Sequence, residues 1–419
     1  MARFGSLERN TNQSSFRKMK NRLIVALPLV ALVFTNGGFG IQRDHAPRLM
    51  VIRVPNGGIQ PEVAVDTTGI VHMVYFKGEP RHGDVFYVRS KDWGTTFSIP
   101  MRVNSEPGSA VATGTIRGAH LALGENGRVH VAWNGSTQSS LRGPRIPEMQ
   151  SDSPYNGLPM LYTRLNDAGT AFERERNLMQ VTFGLDGGGS LAADDSGKVY
   201  VAWHGKSSGD PEGEGGRQVW IARSRNGGKD FSPEYKAYNE PTGACGCCGL
   251  SIFAGGNGTV YVLYRTATEM VHRDVYLLVS KDAGETFTGR RVDKWNIEAC
   301  PMTSMAFAKG PVAVVAAWQT EEQVYYAMID PTTSRMSEPI PATGSGKLRK
   351  YPALAVNAKG ETILVWTEGT SWGKGGSLAW RVYSMDGKPS EEKGSVPDLP
   401  AWSFGAVFAR PDGEFTIAY

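Results

Sequence analysis

Four cysteines carry the most distinctive chemistry of this 419-residue chain, and three of them fall within four positions: Cys245, Cys247 and Cys248, with Cys300 further on. Thiolates are nucleophiles, redox partners and soft metal ligands. Three chemistries fit the set. An even count in an oxidising compartment suits two disulfides, Cys300 with one of the cluster and a strained pair within it. Thiolates alone suit Zn(II), and thiolates joined by Met302, Met305 and His272 make a softer set that favours Cu(I). A strained vicinal pair is easily reduced and suits redox exchange. Cys-x-Cys-Cys is not a standard zinc spacing, so spacing alone does not choose among them.

Cations form a second set. Arg117 with His120, His204, Arg265, His272 with Arg273, and Arg349 with Lys350 lie just before or just after apolar runs, as do Lys77, Arg81 and His82. Such groups gathered on one face suit an anionic or glycan-like ligand, with copper or zinc at the thiols as the alternative. Tyr351 adds a phenol that becomes a nucleophile only beside a base.

The elements that must position these residues repeat. An apolar strand, a glycine turn and a second strand ending in an aromatic recur at 63–75, 120–133, 191–203, 251–264, 305–318 and 353–366, with a shorter copy at 406–419. The turn glycines, from Gly69 to Gly413, are 50 to 70 residues apart. Recurrence of this length predicts an all-β propeller of four-stranded antiparallel blades, six or seven in number. The last copy has two strands, and a lone strand at 49–54 can complete it, closing the ring by pairing the N- and C-terminal strands. Innermost strands of such blades start on one face. Cys245, Cys247 and Cys248 open the fourth repeat and Cys300 the fifth, so all four are expected near the axis on that face.

The formal positive charge is concentrated before residue 23, where Arg3, Arg9, Arg17, Lys18, Lys20 and Arg22 stand against Glu8. The remainder is near neutral, which argues against a nucleic-acid or anionic-membrane surface. An apolar run at 23–34 and the small residues Gly37, Gly38 and Gly40 follow. The run is short for a bilayer span and suits a secretory signal, an uncleaved anchor being the alternative. Residues 1–40 are read as that signal or anchor, and 41–419 as one propeller domain of an exported protein, periplasmic or extracellular. Residues 134–159 form the longest irregular stretch, and Glu212-Gly-Glu-Gly-Gly216 reads as a flexible loop tip.

A turn also repeats. Ser280-Lys-Asp282-Ala-Gly284-Glu-Thr286-Phe287 and Ser90-Lys-Asp92-Trp-Gly94-Thr-Thr96-Phe97 are full copies; degenerate ones centre on Asp167 and Asn226. A carboxylate accepting backbone N–H bonds two residues on and a glycine at positive φ make a tight turn. These copies resemble the Asp-box, or bacterial neuraminidase repeat, of sialidase-like β-propellers, a resemblance that implies six blades and a structural role for Asp92, Asp167, Asn226 and Asp282. Ala244-Cys-Gly-Cys-Cys248 together with Cys300-Pro301 is also similar to a subgroup of exported bacterial propellers for which no reaction is implied.

Sialidases use three arginines on the substrate carboxylate, a Tyr nucleophile with its Glu, and an Asp acid/base. By resemblance Arg53, in Ile52-Arg53-Val-Pro55, matches the first arginine, Arg265 the second and Tyr351 the nucleophile. Arg145-Ile-Pro147 matches in letters a blade too late. The fifth repeat ends Trp318-Gln-Thr-Glu-Glu-Gln323 without a third arginine, only Glu79 and Asp84 stand near the acid/base position, and cysteines stand where the Glu should be. The expectation is a binding propeller without ordinary sialidase chemistry. A glycoside hydrolase using Tyr351, Arg53 and Arg265, and a protein-interaction scaffold, are the alternatives.

Overall fold

The computed structural model describes residues 49–145, 157–269 and 271–419. The expected signal or anchor at 1–40 and residues 146–156 of the irregular stretch at 134–159 lie outside the described residues.

Six antiparallel sheets of four strands follow one another along the chain, and a seventh sheet of three strands joins the two ends. Their innermost strands are Ile59–Val65, His120–Leu123, Ser190–Ala193, Ser251–Gly256, Ala306–Lys309, Lys350–Val356 and Ala406–Ala409. Each lies against the next, and the last against the first, so the ring is closed. Numbered in this order, the blades are seven. The repeat count and not the six of the sialidase resemblance is therefore the correct one.

Burial follows from stacking sheets face to face. A second strand such as Val199–Gly205 or Val314–Thr320 has a blade on either side and is buried along its whole length. That is why these runs read as continuously apolar rather than alternating. Each of the seven gaps between blades holds its own apolar core; Trp133 fills the first-to-second gap, Trp203 the second-to-third and Trp318 the fourth-to-fifth.

The closing sheet departs from the others. Leu49–Ile52 pairs with Phe415–Ala418 in parallel, with Val51 opposite Ile417. Val54 N–H to Tyr419 O at 2.9 Å extends the pairing. The N-terminal strand thus occupies the third-strand place of the seventh blade.

The repeated turns lie between third and fourth strands. Asp282 Oδ1 accepts the Thr286 N–H at 3.0 Å, and Asp92 Oδ1 the Thr96 N–H at 2.8 Å. Asn226 does the same for Asp230 at 3.0 Å. The second copy differs from the sequence expectation: Asn166 Oδ1 accepts the Thr170 N–H at 3.0 Å, whereas the Asp167 side chain is 87% exposed and pairs with Arg128. The register is that of the other blades, but Leu165 stands where Ser90, Ser224 and Ser280 bond the cap side chain through a hydroxyl, so nothing holds Asp167 over the turn and Asn166 caps instead. The turn aromatics Phe97, Phe172, Phe231 and Phe287 each plug the gap toward the preceding blade. Backbone bonds from Gly227 to Gly197 and from Ala283 to Gly258 tie these turns to the glycine turns between first and second strands, on the face opposite the inner-strand entries.

Candidate functional site: a thiol cluster at the channel mouth

Inner strands enter at the mouth of the central channel, and five non-glycine residues at these entries are left-handed: Gln60, Thr115, Met302, Tyr351 and Trp402. Strained backbone of this kind persists only where the surroundings hold it, and it concentrates at functional sites. Here the surroundings include the buried Gln60 amide, which donates to the carbonyls of Ala112 and Trp402 at 2.7 and 2.6 Å and so joins three blades.

The cysteine loop enters the fourth blade at this mouth. Three blades clamp its backbone. Cys245 N–H donates to Arg265 O at 2.9 Å within the fourth blade, and Gly249 N–H to Thr303 O at 2.8 Å in the entry of the fifth. Gly246 N–H donates to the Glu214 carboxylate of the third at 2.8 Å. A β-carbon on Gly246 would lie 2.7 Å from an Arg217 nitrogen and 2.9 Å from an Asp186 oxygen, so a side chain at the loop's tip would push these two groups aside.

This clamping gathers the thiols. Cys245 Sγ lies 2.8 Å from Cys248 Sγ and 3.4 Å from Cys247 Sγ. The three sulfurs fall within 4.8 Å of one another, and so do a Glu214 oxygen, Cys247 Sγ and Cys300 Sγ. All four thiols are free. Cys245 and Cys248 are buried, Cys247 half-buried and Cys300 exposed, a gradient from the interior to solvent.

Electrostatics divides the set. Burial opposes ionisation of Cys248. Hydrogen bonds from the Cys245 and Cys247 thiols, the charge of Arg265 and the Thr303 N–H outweigh it, so Cys248 is the preferred thiolate. Burial pushes Cys245 well up, and burial with the Cys247 thiol alongside pushes Cys300 up to about 12. Lys350 adds a third cation beside Arg265 and Arg273; burial lowers its pKa and the Cys248 and Cys247 thiolates oppose that.

Glu214 is the residue the sequence reading passed over. The segment expected to be a flexible loop tip folds into a 3-10 turn, Glu214–Gly216, with Gly216 buried. A β-carbon on Gly216 would lie 1.8 Å from Pro211 O, so the glycines signal a tight turn and not looseness. The Glu214 carboxylate also accepts from Arg273 at 2.7 Å.

Arg53, Arg117, Arg265, Arg273 and Arg349 are held by the chain's own acceptors. Arg265 is fully buried, its terminal nitrogens on the carbonyls of Arg273 and Gln319 and its plane over Trp295. Arg117 binds Asp186 and the Thr113 carbonyl. Arg349 donates to Gln323, Ala342 and Thr343. Arg53 lies over Tyr419 and donates to the Asp398 carbonyl, in the sixth and seventh blades. His120 faces Glu62 at 3.4 Å in the channel wall. His272 pairs with Asn296 and Glu269, and Met305 is in the fourth-to-fifth core, so neither joins the thiols. His204 is buried with both ring nitrogens unpartnered, and burial holds it neutral, its pKa pushed down to about 3. Tyr351 is buried at the mouth and bonded to Thr115; burial raises its pKa to about 12, and the nearby ionisable groups acting on it are the Cys248 and Cys247 thiols.

No protein-family profile and no curated protein sequence matches the chain. Solved structures do. A protein of unknown function from Dyadobacter fermentans superposes with a TM-score of 0.50 at 13% identity over 84% of this chain and 97% of that one. A Hadza microbial sialidase gives 0.51 at 12% identity, covering 79% and 66%. The leech intramolecular trans-sialidase gives 0.50 at 12% identity, covering 78% and 68%. At these identities the likeness is one of fold alone, a closed ring of β-sheets, and carries over none of their chemistry.

Proposed function

We propose that this protein is an exported propeller that binds a thiophilic metal ion, Cu(I) or Zn(II), at the mouth of its channel. The observation that carries the reading is the set of three sulfurs within 4.8 Å on a loop clamped by three blades. A free thiol buries cheaply, so it is the convergence of three sulfurs on one point, and not their burial, that favours an ion. The three-thiol set, without His272 and Met305, suits trigonal Cu(I) or thiolate-bound Zn(II). The occupied guanidinium groups favour metal over an anionic or glycan-like ligand. Metal analysis of reduced protein reconstituted with each ion, with thiol titration alongside, tests it. Bound metal, with thiols protected beyond those already buried, is expected; no bound ion of either kind would refute it.

The second reading is a sialidase-like hydrolase using Tyr351 with Arg53 and Arg265. The fold likeness and the position of Tyr351 at the mouth support it. Against it stand the engaged Arg265, the distant contacts of Arg53 and the want of a base beside Tyr351. Hydrolysis of a fluorogenic sialoside, abolished in Tyr351→Phe, would establish it. A chain that neither binds metal nor hydrolyses the sialoside would leave a protein-interaction scaffold as the better reading.

A further inference from the structure

The two metal-sized clusters are not separate, because Cys247 belongs to both. Its sulfur lies within 4.8 Å of Cys245 and Cys248 on the buried side and of Cys300 and a Glu214 oxygen on the solvent side. A thiolate sulfur has lone pairs enough to bind two ions at once. We infer that the site takes two thiophilic ions joined through the Cys247 thiolate. The inner ion rests on Cys245, Cys247 and Cys248, and the outer on Cys247, Cys300 and Glu214. This rests on the metal reading of the same site and adds to it a count, a bridge and a second ligand set.

Three features fit. Glu214 is already oriented by the Gly246 N–H on one oxygen and by Arg273 on the other. An ionised carboxylate has about four lone-pair positions, so each oxygen keeps one for an ion. The carboxylate that would hold the outer ion therefore also fixes the loop that carries the inner one. Charge fits as well. Four thiolates and Glu214 face Arg265, Arg273 and Lys350, whose charges act on the thiols. The thiolates and Glu214 outnumber these cations, so bound Cu(I) is favoured by charge as well as by softness. Finally, the exposure gradient from Cys300 to Cys248 gives the inner position an entry by way of the outer one.

The test is anaerobic titration of the reduced full chain with Cu(I) against a competing Cu(I) chelator. Two ions per chain are expected, with a metal–metal scattering shell in X-ray absorption. Cys300→Ser, at an exposed position, should keep one ion and lose that shell. Glu214→Gln should weaken the second ion by about tenfold or more while the first is retained. Cys247→Ser should lose tight binding of both. One ion per chain in the unaltered protein, two ions without the metal–metal shell, or two ions undiminished in Cys300→Ser would each overturn the bridge and leave the single-ion reading standing. No ion at all would overturn the metal reading itself.

Discussion

Glu214 reaches out of the third blade to accept the backbone N–H of Gly246 at 2.8 Å, in the middle of the cysteine loop of the fourth. Its second oxygen holds Arg273, whose side chain is almost wholly buried. One carboxylate thus fixes a loop and neutralises an interior cation.

Removing it should be costly. Glu214→Ala leaves the Arg273 charge buried and unpaired, which by analogy with broken buried ion pairs destabilises by about 3 kcal/mol. Glu214→Gln keeps an acceptor for Gly246 and should lose less. Urea unfolding of the metal-free proteins measures both, and a Glu214→Gln variant as stable as the unaltered chain would mean that the carboxylate's charge is irrelevant to the fold.

The shifted cap in the second blade gives a paired comparison. Asn166→Ala removes the acceptor for the Thr170 N–H and should lower stability by about 1 kcal/mol. Asp167→Ala removes an exposed ion pair with Arg128 and should leave the unfolding midpoint unchanged. A larger effect at Asp167 than at Asn166 would show that the turn is held differently.

Acid should loosen the turns of the first and fourth blades. The Ser280 hydroxyl, the Thr286 hydroxyl and the Thr286 N–H hold the Asp282 carboxyl far below its ordinary range, and the Thr96 hydroxyl and N–H lower Asp92. Their folded pKa values are depressed, so their stabilisation is complete above the unfolded carboxylate value, roughly 3.9, and is lost as pH falls through the folded values. The stability difference between the unaltered chain and Asp282→Ala should accordingly be constant from about pH 7 to pH 5 and shrink below about pH 4. Denaturant midpoints across this range measure it; a difference that grows in acid would contradict the assignment.

Thiol reactivity should follow exposure. In the reduced, metal-free protein Cys300 should react first with an aromatic disulfide reagent, and Cys245 and Cys248 only on unfolding. With the Cys300 pKa near 12, its rate should rise about tenfold per pH unit between pH 7 and pH 9. The first phase should vanish in Cys300→Ser. A fast phase that survives this substitution would place the accessible thiol elsewhere.

The chain's own letters determined a good deal. Turn glycines spaced 50 to 70 residues apart and second strands ending in aromatics specify a ring of sheets, because no single blade can bury both of its faces alone. The position of Cys245, Cys247, Cys248 and Cys300 at the starts of consecutive repeats already implied a common face. Tertiary structure decided the rest. Seven interblade cores, not six, follow from how many sheets complete the circle, and the parallel direction of Leu49–Ile52 follows from which edge its backbone meets. With Leu165 in place of the serine that steadies the other caps, and Arg128 pairing with Asp167, the second-blade cap fell to Asn166. Whether a guanidinium faces a ligand or a carbonyl of its own chain depends on what packs above it, which is why Arg265, Arg117 and Arg349 looked like a binding set in one dimension. Glu214 was hidden for the same reason: its partners Gly246 and Arg273 lie 32 and 59 residues away, and only packing of the third blade against the fourth brings them within hydrogen-bond reach.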